Sequence, residues 1–260
     1  MRLRRRAPEV KFYTVTPGMA ETYPLVPAHK AIPDWWKEMP HETNEGIGRP
    51  FGVLPSTMRR CPAVLDRLTT GWIMPLWEDV VVYEDGGRVR DFAAPPGLPM
   101  ASVHPLDQRE GMPRYPDEDE MAFKLECMWV VETPPGYSLR VDPVPYAVDA
   151  PVVAIPGLIH TDIYHQFNPV FRYRLQGDGR HILTAGMPLC HVSLLRRSDQ
   201  KIEVSCERDD ARFADLYWRG RGGVGLGGSR LNLHAYRDYV RPRLDAIPSR
   251  SPLRRYSRRR

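Results

Sequence analysis

Long apolar runs are missing from this chain. No stretch of the 260 residues approaches the length needed to cross a bilayer as a helix, so no transmembrane span is expected. The basic N-terminus is followed by no apolar core, so no secretory leader is expected. Cysteine is sparse. Cys61, Cys127, Cys190 and Cys206 include no C-x-x-C pair, which excludes a zinc knuckle and a thioredoxin-type dithiol and leaves free thiols in a reducing compartment. A G-x-S-x-G nucleophile elbow is absent, and so is the Gly-Lys-Ser/Thr ending of a P-loop. No internal repeat is visible. The expected location is cytoplasmic, or the virion of a virus assembled there, with no membrane partner.

Proline, by contrast, is abundant. Twenty-seven prolines interrupt helix interiors and central strands, so many short elements joined by shaped loops are expected. Hydrophobic residues at 42% and charged residues at 27% fit a globular domain with a sizeable core. The net charge of +5 is concentrated at the ends, with four arginines in residues 1–6 and six in residues 250–260. These are read as basic tails, 1–8 and 247–260. They fit nucleotide or nucleic-acid contact, or solubility alone.

Between the tails, three parts are expected. Residues 9–119 read as a mixed α/β part. It holds a strand over 10–15 and a short helix over 33–39, with one of Trp35 and Trp36 entering the core. A helix over 62–70, begun by Pro62 and ended near Gly71, is followed by an extended run from Trp72 to Trp77. Glu84-Asp85-Gly86-Gly87 marks a hairpin, and 93–119 reads as a long irregular connection containing His104. Residues 120–206 read as a β core with strands at 121–132, 137–141, 152–155, 170–175, 189–195 and 201–205, and with a second hairpin turn at Gln176–Gly179. Residues 207–246 read as helices, 208–219 and 231–244, around a glycine-rich loop at 220–229. The expected class is mainly β (α+β), a barrel or sandwich core with a mixed N-terminal part and C-terminal helices.

Two constellations carry candidate chemistry. His160-x-Asp162-x-x-His165 offers imidazole and carboxylate ligands for a divalent metal, with His191 as a further imidazole; the alternative is a polar loop around a hydrogen-bonded Asp162. Arg219 and Arg221 open the glycine-rich run, where backbone N–H groups can approach phosphate; the alternative is a flexible linker. Cys190 and His191 are neighbours on an expected strand, so they point to opposite faces and do not pair.

Three segments resemble the deoxyuridine triphosphatase family and its β-clip relatives: Pro134-Pro135-Gly136-Tyr137, Gly157-Leu158-Ile159-His160-Thr161-Asp162-Ile163-Tyr164, and Gly186-Met187-Pro188-Leu189-Cys190-His191-Val192. Arg221 to Ser229 is similar to that family's glycine-rich arm. The resemblance implies a trimeric β-fold that binds a deoxynucleotide with Mg²⁺. Asp162 and Tyr164 would lie near base and sugar, and Arg219 and Arg221 near phosphate. The sequence departs from the pattern where His160 stands for a carboxylate and His191 for a glutamine.

The chain also resembles an uncharacterised phage and bacterial protein family over most of its length. The segments are Ile32-Pro33-Asp34-Trp35-Trp36-Lys37, Arg60-Cys61-Pro62-Ala63-Val64-Leu65-Asp66, Gly71-Trp72-Ile73-Met74-Pro75-Leu76, Thr133-Pro134-Pro135-Gly136-Tyr137-Ser138 and Thr161-Asp162-Ile163-Tyr164. Three functional readings follow. One is a phage-type, non-catalytic binding or structural homo-oligomer. Another is a nucleotide-binding hydrolase using Mg²⁺. The third is a metal-dependent enzyme built on His160, Asp162 and His165.

Overall fold

The computed structural model describes residues 9–42, 57–93, 101–103, 111–113, 118–125 and 129–221; of 101–103, 118–122, 200 and 217–221 only the backbone is described. The fold is mainly β, of the α+β class. Its strands are β1 (Lys11–Tyr13), β2 (Val26–Pro27), β3 (Trp72–Pro75), β4 (Val80–Glu84), β5 (Val89–Ala93), β6 (Ala101–Val103), β7 (Glu118–Leu125), β8 (Val130–Glu132), β9 (Tyr137–Asp142), β10 (Val152–Ala154), β11 (Gly157–Ile159), β12 (Val170–Arg174), β13 (Gly179–Leu183) and β14 (Pro188–Arg196). Its helices are α1 (Met19–Thr22), α2 (Asp34–Glu38), α3 (Pro62–Thr69) and α4 (Asp210–Arg221).

The strands form four antiparallel sheets, ordered β11-β9-β14-β3-β2, β10-β12-β7-β6, β13-β4-β5 and β1-β8; none closes into a barrel among the described residues. By contacts the chain forms two compact units. The first is Met1–Ala28 with Gly71–Ile202, and the second is His29–Thr70 with Glu203–Arg260.

One apolar cluster fills the first unit and draws on all four sheets, with Leu139, Val141, Cys190, Val192, Phe123, Phe171, Tyr173, Val82 and Val131 within it. The centre is aromatic. Phe92 and Phe123 lie 4.9 Å apart, and Phe123 and Phe171 stack at 5.7 Å. β14 is the longest strand among the described residues and lies between β9 and β3, so both its edges are paired. Cys190 and Val192 point to the apolar core, and His191 to the other face.

Local sequence explains the connections. Gly86 and Gly87 both take positive φ, the geometry of a two-residue hairpin loop, and β4 pairs with β5 across them. Pro62 begins α3, and Gly71, φ +83°, stands just past its end, where the left-handed conformation releases the chain into β3. In the second unit Trp36 is buried while Trp35 stays partly exposed, because neighbouring helical positions diverge by about 100°. The Arg59 guanidinium donates to the Trp36 carbonyl, and Arg60 pairs with Glu42 at 2.8 Å. Asp209 Oδ1 accepts the Arg212 N–H at 2.8 Å and so caps α4.

Several sequence expectations are corrected. The run 121–132 is two strands rather than one: β7 joins the four-stranded sheet and β8 pairs with β1. The connection 93–119 contains β6 and the start of β7, while His104 lies outside the described residues. Residues 201–205 form no strand; a 3₁₀ turn over Arg197–Lys201 is followed by irregular chain. The turn at Gln176–Gly179 is not a hairpin, because β12 pairs with β10 and β7 while β13 pairs with β4. The buried Glu84 carboxylate shapes that turn by accepting the backbone N–H groups of Gln176 and Gly177 at 3.0 Å each and the Tyr173 hydroxyl at 2.7 Å. Helix 231–244 and residues 222–229 of the glycine-rich loop lie outside the described residues.

Candidate functional site

The polar residues of the β core gather around one turn. Pro134-Pro135-Gly136-Tyr137 closes with the Tyr137 N–H donating to the Pro134 carbonyl at 3.0 Å, and Gly136 has φ +84°. Proline second and a left-handed glycine third is the signature of a type II turn, so this local geometry is written in the sequence. The turn leaves the Gly136 N–H and carbonyl for longer-range partners. The N–H donates to Asp162 Oδ2 at 2.8 Å, and the carbonyl accepts the Arg197 N–H at 2.9 Å.

Arg197 follows the end of β14 and reaches the same place with its side chain. It grips Asp162 with both terminal nitrogens, Nη1 to Oδ1 at 2.6 Å and Nη2 to Oδ2 at 2.5 Å. Nη1 also donates to the Tyr137 carbonyl at 3.0 Å and to Ser138 Oγ at 3.1 Å. Ser138 Oγ lies 2.8 Å from His160 Nδ1. Beneath them the buried hydroxyls of Thr133 and Thr161 meet at 2.9 Å. Three segments distant in sequence, 133–138, 160–162 and 197, are thereby tied into one clasp.

The Asp162 side chain is only 7% exposed. The hydrogen bonds from Arg197, with that from Gly136, hold its carboxyl well below the usual carboxylate range, against the opposing effect of burial. The Arg197 guanidinium is correspondingly pushed up by Asp162. A carboxylate so placed is a poor proton acceptor, and both its oxygens are already engaged. Ser138 and His160 are within hydrogen-bonding distance, as a nucleophile and its base would be, but Ser138 has 0% exposure and no solvent approach.

His160 and Asp162 therefore come together, though not on a strand. β11 ends at Ile159, and the chain turns with the N–H groups of Ile163 and Tyr164 both donating to the His160 carbonyl. Tyr164 and His165 leave this turn outward. The Tyr164 hydroxyl donates to Gln166 Oε1 at 2.8 Å, and His165 Nδ1 lies 3.0 Å from the Val131 carbonyl. Ile163 and Tyr164 are 73% and 57% exposed.

His191 lies elsewhere on the sheet. It is buried opposite Asp142, four residues along β9 from Ser138, which puts about 13 Å of strand between them. Arg140 holds Asp142 at 3.0 Å. Gly71 makes room there, since a Cβ at that position would stand 2.9 Å from His191 Nε2. Arg219 and Arg221 belong to α4. Among the described residues no three His, Cys, Asp or Glu side chains come together as a metal set.

Sequence reasoning missed Ser138, Arg197, Thr133 and Thr161. Only the Pro-Pro-Gly turn carried a signal, since it fixes where the Gly136 N–H points. Nothing near Arg197 announces a partner 35 residues away.

No protein-family model matches the chain, and no curated protein matches it. Among solved structures the chain is similar to the native EIAV dUTPase at 9% identity and a TM-score of 0.28, over 54% of this chain and 84% of that one. That TM-score is too low to assign a shared fold. Among the described residues no helix is long and apolar enough to cross a membrane.

Proposed function

We propose that the chain is a phage-type, non-catalytic binding or structural protein that acts as an oligomer, and that its polar clasp holds a surface loop in shape rather than turning over a substrate. The supporting observation is the saturation of Asp162 by Arg197 and the Gly136 N–H. The candidate carboxylate is committed to the fold, and what the turn presents to solvent is Ile163 and Tyr164. Fixing a loop before binding removes part of the ordering cost of association. The phage-type assignment rests on the sequence segments similar to that family, from Ile32-Pro33-Asp34-Trp35-Trp36-Lys37 onward.

The test is turnover. Purified protein incubated with each deoxynucleoside triphosphate and Mg²⁺ releases no phosphate or pyrophosphate above the buffer rate, and chelation leaves its melting temperature unchanged. Hydrolysis that disappears in Asp162→Asn would overturn the reading in favour of the nucleotide hydrolase. Bound metal lost from a His160→Ala variant would favour the metal enzyme.

A further inference from the structure

One stretch keeps the pattern of a strand without a strand's partner. Ile202-Glu203-Val204-Ser205-Cys206-Glu207 alternates apolar and polar side chains at period two, as a half-buried strand does. In the structure it is irregular chain, following the 3₁₀ turn and leading from the first unit into the second. Among the described residues no main-chain hydrogen bond joins 202–208 to any strand. Ile202 and Val204 are 69% and 88% exposed. An apolar alternation that faces nothing within the chain is matched to a sheet edge outside it.

The chain also carries an edge without a neighbour. β13 closes its sheet, with β4 on one side and no strand on the other among the described residues. It pairs with β4 at five successive positions with no bulge, and it holds no proline, so its outer N–H and C=O groups form a regular row. The other edges are poorer templates. β1, β6, β8, β10 and β11 have three residues each, β2 contains Pro27, and the pairing of β5 with β4 shifts register. In β13, His181 and Leu183 point to the core side and Arg180 and Ile182 outward.

We propose that residues 202–206 add as a strand to the outer edge of β13 in a second copy of this chain. Each copy holds one unpaired strand segment and one unpaired edge. Reciprocal exchange satisfies both in both copies, whereas a foreign strand on β13 leaves 202–206 in water. Residues 202–206 are all exposed, so docking strips no side chain from a core. Charge fixes the register. Antiparallel pairing with Glu203 opposite Arg180 sets anion against cation on the outward face. It places Ile202 opposite His181 and Val204 opposite Gly179, on the face that Leu183 directs to the core.

This inference rests on the oligomeric reading, and the experiment separates the two. Sedimentation velocity over a concentration series is run on the intact chain and on Glu203→Pro, Val204→Pro, Arg180→Glu, Glu203→Arg and the double charge swap. Neighbouring N–H groups of a strand point opposite ways, so one of the two prolines removes a ladder hydrogen bond. Neither lowers the melting temperature of the dilute monomer, where the segment is irregular. The expected result is concentration-dependent self-association that falls at least about tenfold in one proline variant and roughly tenfold in either single swap, since each pairing occurs twice. The double swap recovers it. Amide hydrogen exchange over 202–206 slows only at concentrations where the oligomer forms. Self-association unchanged in both proline variants, with 202–206 exchanging fast in the oligomer, overturns the strand exchange while leaving the oligomer standing. A wild-type chain that stays monomeric at every concentration overturns both.

Discussion

Replacing Asp162 by asparagine tests the clasp directly. The change keeps size and shape but removes the charge that receives two hydrogen bonds from Arg197, and it sets an amide N–H against one guanidinium nitrogen. Hydrogen bonds to charged groups contribute about 1.5–3 kcal/mol each, and breaking a fully buried pair costs about 3–5 kcal/mol. Arg197 is 26% exposed, so water can replace part of what it loses. The expected loss is therefore about 2–3 kcal/mol, which for a domain of this size lowers the melting temperature by roughly 5–10 °C.

Urea unfolding at pH 7 measures it, together with Arg197→Met and the double variant. Because the two residues act as one unit, the double variant should cost little more than either single change. The pH dependence has a definite sign. The folded-state pKa of Asp162 is depressed below its ordinary 3.8, so its contribution is complete above that value and is lost as pH falls through the folded one. The wild-type advantage over Asp162→Asn should stay constant from pH 7 to about pH 5 and shrink only in stronger acid. A difference under about 0.5 kcal/mol, within the range of an ordinary surface substitution, or one that grows on acidification, would refute the clasp.

Two glycines with nearly equal φ separate backbone strain from steric exclusion. Gly136→Ala meets no atom within 4 Å and should cost only the left-handed penalty of about 1 kcal/mol, whereas Gly71→Ala would bring a Cβ to 2.4 Å from the Val192 carbonyl oxygen and should cost at least about 2 kcal/mol more; equal melting temperatures for the two variants would contradict this. Glu84→Gln should lose about 2–3 kcal/mol in urea unfolding, because one of its two acceptor oxygens becomes a donor facing backbone N–H groups. Tyr173→Phe removes a single donor to the same carboxylate and should lose about 1 kcal/mol, so a Tyr173→Phe loss exceeding that of Glu84→Gln would show that Glu84 does not hold the turn.

How much of the molecule could be read in advance depends on the range of the interaction. Signals confined to a few residues were legible. Pro62 and Gly71 bracket α3 and Gly86-Gly87 makes the β4–β5 hairpin, each because a residue's φ preference acts within its own turn. The Gln176–Gly179 turn misled for the same reason. Its composition fits a hairpin, but whether β12 and β13 pair is decided by β4, almost a hundred residues earlier, whose Glu84 captures the turn. Likewise 121–132 reads as one strand because it alternates at first and then turns continuously apolar, and only the partners on either side split it between two sheets.

The candidate site divides along the same line. His160, Asp162 and Tyr164 stood out because they are polar or aromatic residues in an apolar region. What Asp162 does could not be read, since Arg197 becomes its partner only when the end of β14 is laid beside the start of β9. The sequence by itself determined the class, mainly β with short helices, because periodicity and proline content are local quantities. The tertiary structure alone decided that residues 11–28 join 71–202 in one core, that His191 is about 13 Å along the sheet from the clasp, and that the candidate carboxylate is spent on an arginine. Those facts follow from which strands lie side by side, and the burial of one shared core sets that order.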